Sequence, residues 1–306
     1  MKVSFCLFTY NQKQFVNSAV LAALNQKYRP LEIIISDDCS TDGTFELIEE
    51  LISSHEIDQE LTVILNRNKV NLGIGAHVKL LSELSSGDIL VIAAGDDISH
   101  VDRVSEVVDV MRQDEKIMAV FTDIRYINND GSIDQMHPKR YRRAVYPTIS
   151  DMLSGGGGVA AGASYAYKRE VFFWPHRYPE MLMCEDRILP LRARLLGKVF
   201  YIDKPLVDYR LSLFGVSRAI PKKLLDVRAN NLHMNEVKMT LNRAKIEGRL
   251  SNISYTVFIC QLLGMRPLYS IAYHAMEINY KLGAKLLRLL DYYFAAIRII
   301  ANKIVH

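Results

Sequence analysis

Three pairs of adjacent carboxylates carry the chemistry that this sequence can offer. Asp37 and Asp38 close an apolar run in "LEIIISDDCSTDGT", and Asp96 and Asp97 close another in "VIAAGDDISH". Glu185 and Asp186 open "EDRILPLRARLLG". Adjacent hard oxygen ligands suit Mg²⁺ or Mn²⁺. Such an ion lets a phosphate-bearing ligand approach carboxylates that would otherwise repel it. A carboxylate can also accept from the N–H groups of a base or the hydroxyls of a ribose. One placed at a helix start can take the proton of an attacking hydroxyl, which turns acidic only in the transition state. Plainer roles fit the same residues. Turns are rich in Asp, Ser40, Thr41 and Asp42 are good caps for a helix starting near Gly43, and acids at a helix start complement its dipole.

The elements that must position these acids alternate. Apolar runs at "KVSFCLF", "LEIIIS", "LTVILN", "DILVIAA" and "IMAVFTD" read as strands. Between them, "QFVNSAVLAALNQ", "GTFELIEELISSH", "GIGAHVKLLSEL" and "VDRVSEVVDVMRQ" have helical apolar spacing. This alternation predicts crossover units, and strands that are apolar throughout predict a mostly parallel sheet covered on both faces. Ligands of such sheets bind outside the carboxyl ends of strands, where both aspartate pairs fall. After Asp123 the rhythm changes. "RYINNDGSIDQ" predicts a hairpin around "NDG". "PKRYRR" is a basic loop, and "SGGGGVAAGASYAYKREVF" runs from glycine-rich to strand-like to a short helix. Beyond Pro221 the chain reads as helical, giving a division into residues 1–215 and 216–306.

Bulk composition excludes several classes. The 306 residues are 49% hydrophobic and 24% charged, as expected of a globular protein with a core. The net charge of +4 is too weak to argue for nucleic acid. Cys6, Cys39, Cys184 and Cys260 show no zinc spacing and read as small buried thiols in a reducing compartment. The start "MKVSFCLFTYNQ" does not read as a signal peptide. No apolar run reaches the roughly eighteen residues that a membrane-crossing helix needs, so a cytoplasmic location is expected. "GIGAHV" lacks the third glycine of a dinucleotide fingerprint, and no phosphate-binding P-loop motif occurs.

Taken in order, "FTYNQ", "SDDCSTDGT", "NLGIGAH", "AAGDD" and "CED" resemble the motif series of the family 2 glycosyltransferases, over roughly residues 1 to 215. The resemblance implies an α/β GT-A fold, a nucleotide-sugar-binding mixed sheet with helices on both faces and here a helical C-terminal extension. It implies an inverting transfer of one sugar from a nucleoside-diphosphate sugar to a hydroxyl of a glycan or lipid-linked acceptor. By motif position, Phe8, Tyr10, Asn11 and Asp38 would hold the nucleoside, with UDP or dTDP favoured, and Asp96 would face the ribose or sugar. Asp97 would reach an Mn²⁺ or Mg²⁺ ion on the diphosphate. Asp186 would be the general base, with Glu185 beside it. Tyr10 would stack on the base, or else be a core aromatic. Assembly of a surface polysaccharide or glycolipid is the role implied.

Other readings stay open at this point. A protein of the same fold that binds carbohydrate without turnover is one, although the acids at 38, 97 and 186 argue against it. A nucleotidyltransferase is another, but "TYNQKQF" lacks its glycine-rich loop. The processive membrane synthases of the family carry a "QxxRW" element, which the lone Trp174 in "FFWPHR" does not match. The glycine-rich stretch Gly155 to Gly158 reads as an acceptor wall or a surface loop. Asp96 and Asp97 have no obvious basic partner nearby in sequence. Arg210 and Arg218 would neutralise diphosphate charge, or else are surface arginines. Between Lys281 and Ile304, leucines and isoleucines at helical spacing interleave with Lys281, Lys285, Arg288, Arg298 and Lys303. That pattern suits a helix on the inner face of an anionic membrane, or one packed on the catalytic unit or a second subunit.

Overall fold

The computed structural model describes residues 1–134, 147–153, 160–176, 185–211 and 227–252, with 254–255 and 258–259 beyond them. Five strands fall where the apolar runs predict: β1 (Val3–Thr9), β2 (Leu31–Asp37), β3 (Leu61–Arg67), β4 (Ile89–Ala94) and β6 (Ile117–Ile127). Helices α1 (Lys13–Leu24), α2 (Thr44–Ser54), α3 (Gly73–Leu84) and α4 (Arg103–Gln113) alternate with them. The two-residue strand β5 (Ile98–Ser99) follows the second aspartate pair. Later in the chain come α5 (Ile149–Leu153), β7 (Tyr165–Lys168), α6 (Glu170–Phe173), α7 (Leu189–Leu196), β8 (Lys198–Arg210) and α8 (Val227–Ile246).

The eight strands form one mixed sheet in the order β3-β2-β1-β4-β7-β6-β8-β5. β3, β2, β1 and β4 run parallel, with Phe8 level with both Ser36 and Ala94. β7 runs antiparallel to β4 and to β6, while β6 and β8 are parallel. The carboxyl ends of β1, β2, β4, β6 and β8 therefore open on one edge of the sheet. The start of β7 opens there too, because its direction is reversed.

Alternate residues of each strand enter two cores, one on each face. Phe5, Leu7, Ile33, Ile35, Ile89 and Val91 pack under α1, α2 and α4. Cys6, Ile34, Leu90 and Ile92 pack on the other side with Val78 and Leu81 of α3, Leu189 and Leu191 of α7, and Val237, Leu241 and Ala244 of α8. Helix α8 thus shares a core with the sheet. Among the described residues no helix is long and apolar enough to cross a membrane.

Two parts of the fold are not evident from the sequence. The predicted fifth strand extends to Ile127 and runs straight into the expected turn, where Asn128 N–H donates to Ser132 O at 2.9 Å and Gly131 adopts φ +85°. The thirteen-residue β8 has no counterpart among the apolar runs. Its pattern is broken by "DKP", and the β6–β8 register shifts where Asp123 meets Pro205. A proline without an N–H is tolerated at such a bulge.

Several sequence features lie outside the described residues. They are the basic loop 138–143, the glycines 155–158, Cys184, Cys260, Arg218, the division at 215 and the amphipathic stretch Lys281 to Ile304.

Candidate active site

The first two loops at the shared edge are sewn together by side chain to backbone hydrogen bonds. Asn11 N–H donates to Ser40 Oγ at 2.8 Å, and Asn11 Oδ1 accepts from Thr41 N–H at 2.9 Å. Gln12 N–H donates to Thr44 Oγ1 at 2.9 Å and Lys13 N–H to Asp42 Oδ2 at 3.0 Å. Asp42 also accepts from Thr44 N–H at 3.0 Å; the cap position of α2 is held by Gly43 without a side-chain bond, so Asp42 closes the turn before the helix and none of Ser40, Thr41 and Asp42 is its N-cap. Asn11 and Cys39 sit at φ +50° and +64°, where residues with a Cβ are rarely found. Tyr10 projects outward, 46% exposed, so it is not a core aromatic; Phe8 is half-buried with its ring edge on His77.

The two aspartates at the end of β2 do different work. Asp37 is wholly buried and binds its own loop, accepting from Ser40 N–H at 2.8 Å, Ser40 Oγ at 2.5 Å and Thr9 Oγ1 at 3.1 Å. Asp38 faces the β3–α3 loop. Its Oδ1 accepts from Asn68 Nδ2 and from Leu72 N–H, both at 2.8 Å, and its Oδ2 accepts from Gly73 N–H at 2.9 Å. An ionised carboxylate offers about four acceptor positions, so one on Oδ2 lies beyond these bonds.

Below this pair, His77 Nε2 meets Ser36 Oγ at 2.6 Å. Burial holds His77 below its usual pKa, against the opposing pull of Asp38 and Asp37.

The second aspartate pair follows Gly95 in a tight turn. A Cβ at Gly95 would come within 2.5 Å of Gln12 Oε1 and 2.6 Å of Thr9 Cγ2, so no side chain fits there. Asp97 is buried, and its Oδ1 accepts from Arg210 N–H at 2.8 Å. Burial raises both carboxyls, Asp97 well above the usual range, with the charge of Asp96 adding to the rise at Asp97.

Basic partners are in fact close, contrary to the sequence expectation. Arg103, six residues on, is fully buried and interacts electrostatically with Asp97, while its own pKa is pushed down to about 9 by burial. Its guanidinium donates to Ser99 Oγ and Ile92 O, each at 2.9 Å, and to Tyr165 O at 3.3 Å. Arg210 is not a surface arginine either. It is 6% exposed, stacks over Phe15 at 4.5 Å, and donates to Asp96 O at 2.9 Å, Asn128 O at 2.7 Å and Asn129 O at 2.9 Å. Arg103, the first residue of the helix after "GDD", was the available signal. Arg210 reaches the pair only through β8.

Glu185 and Asp186 lie on a short 3-10 turn, Glu185–Arg187, just before α7. The turn meets the sheet edge through Gly162, on the segment leading into β7. A Cβ at Gly162 would overlap Glu185 Oε1 and lie 3.5 Å from Asp186 Cβ. Gly162 begins a 3-10 turn, Gly162–Ser164, that packs against β4 and β6. Glu185 is buried and Asp186 half-buried. Burial, and then the charge of Asp186, push Glu185 up to about 8. Burial pushes Asp186 up to about 6, with Arg187 pulling the other way. The elements that carry the predicted acids at 38, 96, 97, 185 and 186 therefore meet at one edge of the sheet.

A divalent cation fits the chemistry of the aspartate pair. Both groups are oxygen donors disfavoured as anions by burial, and a cation offsets that cost. Among the described residues no three His, Cys, Asp or Glu side chains gather around one point. The chain would thus supply only part of an ion's ligand set.

Comparison with known proteins agrees with this architecture. The family described as glycosyl transferase family 2 matches residues 4–175, and the chain belongs to it. An uncharacterized protein of Mycobacterium tuberculosis is 26% identical over 218 residues, which is 70% of this chain and 60% of that protein. The chain thus spans about three fifths of the length of that relative. The abequosyltransferase RfbV of Salmonella typhimurium is 37% identical over 99 residues, 32% of this chain and 28% of the other. Among solved structures, S. aureus TarS 1-349 in complex with UDP-GlcNAc superposes with a TM-score of 0.66 at 14% identity, covering 98% of this chain and 89% of that one. The mannosyltransferase PcManGT of Pyrobaculum calidifontis, in complex with GDP-Man and Mn²⁺, gives 0.60 at 16% identity, covering 98% and 86%. The fold is that of the GT-A glycosyltransferases.

Proposed function

We propose that the protein transfers one sugar from a nucleoside-diphosphate sugar to an acceptor hydroxyl, with inversion at the anomeric carbon. The observation that carries this reading is the convergence of Asp38, Asp96, Asp97 and Asp186 on one sheet edge, in a chain of this family. The remaining acceptor position on Asp38 Oδ2 would receive the N–H of the base, and exposed Tyr10 would stack on it. Phe8 and Asn11 would shape the loop around the nucleoside. UDP and dTDP are the favoured donors; the UDP-GlcNAc and GDP-Man bound by structural relatives support a nucleotide sugar without choosing the base.

Asp97, with Asp96 beside it, would hold Mn²⁺ or Mg²⁺. The ion would act as a Lewis acid on the leaving diphosphate. Buried Arg210 fixes the turn on which both acids sit. Asp186 would remove the acceptor proton as the oxygen attacks, since its lifted pKa of about 6 suits a base working near neutrality. Glu185, more deeply buried, would keep Asp186 in place. Residues 1–215 would be the catalytic unit and 216–306 its helical extension. The acceptor would be a glycan or a lipid-linked saccharide, used on the inner face of the membrane in the assembly of a surface polysaccharide.

Calorimetric titration tests the donor site. UDP, dTDP, GDP and NAD would each be titrated with Mn²⁺ and with EDTA, into the wild-type protein and Asp97→Ala. Metal-dependent binding of one nucleoside diphosphate, lost in the variant, is the expected result. Binding of NAD, or binding indifferent to both EDTA and the substitution, would overturn the assignment.

A further inference from the structure

Asp38 ends a run of hydrogen-bonded side chains that begins on α3. Ser36 and Asn66 stand level with each other on β2 and β3. Asn66 Nδ2 donates to Ser36 Oγ and to Asn68 Oδ1, each at 2.8 Å. Asn68 Nδ2 donates in turn to Asp38 Oδ1 at 2.8 Å, and Asn68 N–H to Asp37 O at 2.8 Å. At the other end, His77 Nε2 of α3 meets Ser36 Oγ at 2.6 Å, and its ring lies against Phe8. Ser36, Asp38, Asn68 and His77 are all more than nine-tenths buried.

Donors and acceptors along this run have one consistent order. An ionised Asp38 can only accept. Asn68 must therefore turn its NH₂ to Asp38, which leaves its carbonyl oxygen facing Asn66. Asn66 must answer with its own NH₂. One hydrogen of that group goes to Asn68 and the other to Ser36 Oγ, so both are spent. An Asn68 amide turned over would set its oxygen against the Asp38 carboxylate and its NH₂ against that of Asn66, and buried polar groups left unmatched are costly. The two oxygens of Asp38 are loaded unequally. Oδ1 takes Asn68 Nδ2 and the Leu72 amide. Oδ2 takes the Gly73 amide, which is shared with Asn71 Oδ1 at 2.9 Å.

We infer that Asn66, acting through Asn68, is the positioning residue for base selection: it keeps Asp38 an acceptor with capacity left on Oδ2, so the site takes a base that presents a ring N–H (uracil, thymine or guanine) and rejects cytosine and adenine. The ring nitrogen of those two at the same edge is itself an acceptor and repels a carboxylate. Ser36 and His77 hold Asn66 from behind. The inference rests on reading Asp38 as the base-binding residue of the donor site. A network that only closed the β3–α3 loop would, when broken, weaken every nucleotide alike; one that sets the polarity of Asp38 changes the preference between bases.

The test compares UDP, dTDP, GDP, CDP and ADP, each with Mn²⁺, by calorimetric titration of the full chain as wild type, Asn66→Asp and Asn68→Ala. The wild type is expected to prefer a ring N–H diphosphate over CDP and ADP by about tenfold or more. Asn66→Asp keeps the side chain's size but replaces its donor by a carboxylate. Asn68 then turns its NH₂ to the new acceptor and its oxygen to Asp38, and the preference should fall by about tenfold or more. Asn68→Ala removes the donor outright and should erode the same preference, which keeps the test open should Asn66→Asp not fold; thermal unfolding without nucleotide reads folding for each. A wild type indifferent to the base or preferring CDP or ADP, or folded variants that lose all diphosphates equally or keep the preference intact, overturn the inference. A wild type that binds no nucleoside diphosphate sinks the donor reading instead, and that outcome is read before any variant is made.

Discussion

The backbone N–H of Arg210 donates to Oδ1 of Asp97 across 113 residues of sequence, at 2.8 Å. The same arginine's Nε donates to the carbonyl of Asp96 at 2.9 Å. One residue at the end of β8 thus fixes both the carboxylate and the peptide of the second aspartate pair. Arg210→Lys keeps the charge but loses the fork that reaches Asp96, Asn128 and Asn129. Metal-dependent nucleotide affinity is expected to fall at least tenfold, with a stability loss of about 1–3 kcal/mol from the carbonyls left unpaired. Titration calorimetry and denaturant unfolding read the two effects.

Gly162→Ala tests the contact between β7's leading segment and the acids at 185 and 186. The new methyl overlaps Glu185 Oε1, so the turn must move. A displacement near 1 Å at a reacting group can cost about a hundredfold in rate. Turnover should drop by that order while nucleotide binding holds. Equal turnover in variant and wild type would detach Gly162 from the site.

Asp186→Asn should lower turnover by about 10²–10⁴-fold, the range for a lost general base. In the wild type the base must be ionised. Turnover should therefore rise with pH through about 6 and level off above it. A pH–rate profile flat from 5 to 8 would contradict the assignment.

Glu185 gives a stability signature. Its folded pKa of about 8 lies above the ordinary glutamate value, so the native state holds the proton more tightly than the unfolded chain does. The resulting stability is full below the unfolded value and is lost as pH rises through about 8. Glu185→Gln removes this dependence. Thermal unfolding of the nucleotide-free protein should show the variant gaining on the wild type between pH 5 and pH 9. A constant gap over that range would mean that Glu185 is not held protonated.

Glu236→Ala removes the carboxylate from buried Arg192, which keeps its bonds to the Phe172 and His176 carbonyls. Breaking such a pair from one side costs about 3–5 kcal/mol. Arg192→Met together with Glu236→Leu should recover much of that loss, as measured by urea unfolding. A single variant as stable as the wild type would mean that α8 is not held by this pair.

The first half of the fold is legible because each of its strands is apolar from end to end, buried on both faces, and separated by helices with a clear stripe. Strand β8 is not legible, because Asp203, Lys204 and Pro205 break it where a bulge makes the break harmless. The acids of the site could be read from their pairing at strand ends. Their control could not: Arg103 lies close in sequence but looks like an ordinary first-turn helix residue, and Arg210 reaches the edge only through long-range packing. Nor does a sequence reveal that Asp38 already holds three donors of its own chain, two of them backbone amides of the β3–α3 loop.

The reversed direction of β7 has an evolutionary consequence. The parallel strands β1, β2 and β4 set one half of the edge through a ladder that leaves little freedom. The segment delivering Gly162 to the opposite half hangs on a four-residue strand entered from the connection after β6. Insertions, deletions and substitutions in that connection can remodel the surroundings of the acids at 185 and 186 without disturbing the first ladder. Chains that share the first ladder can therefore come to differ around the acids at 185 and 186 through changes in one connection.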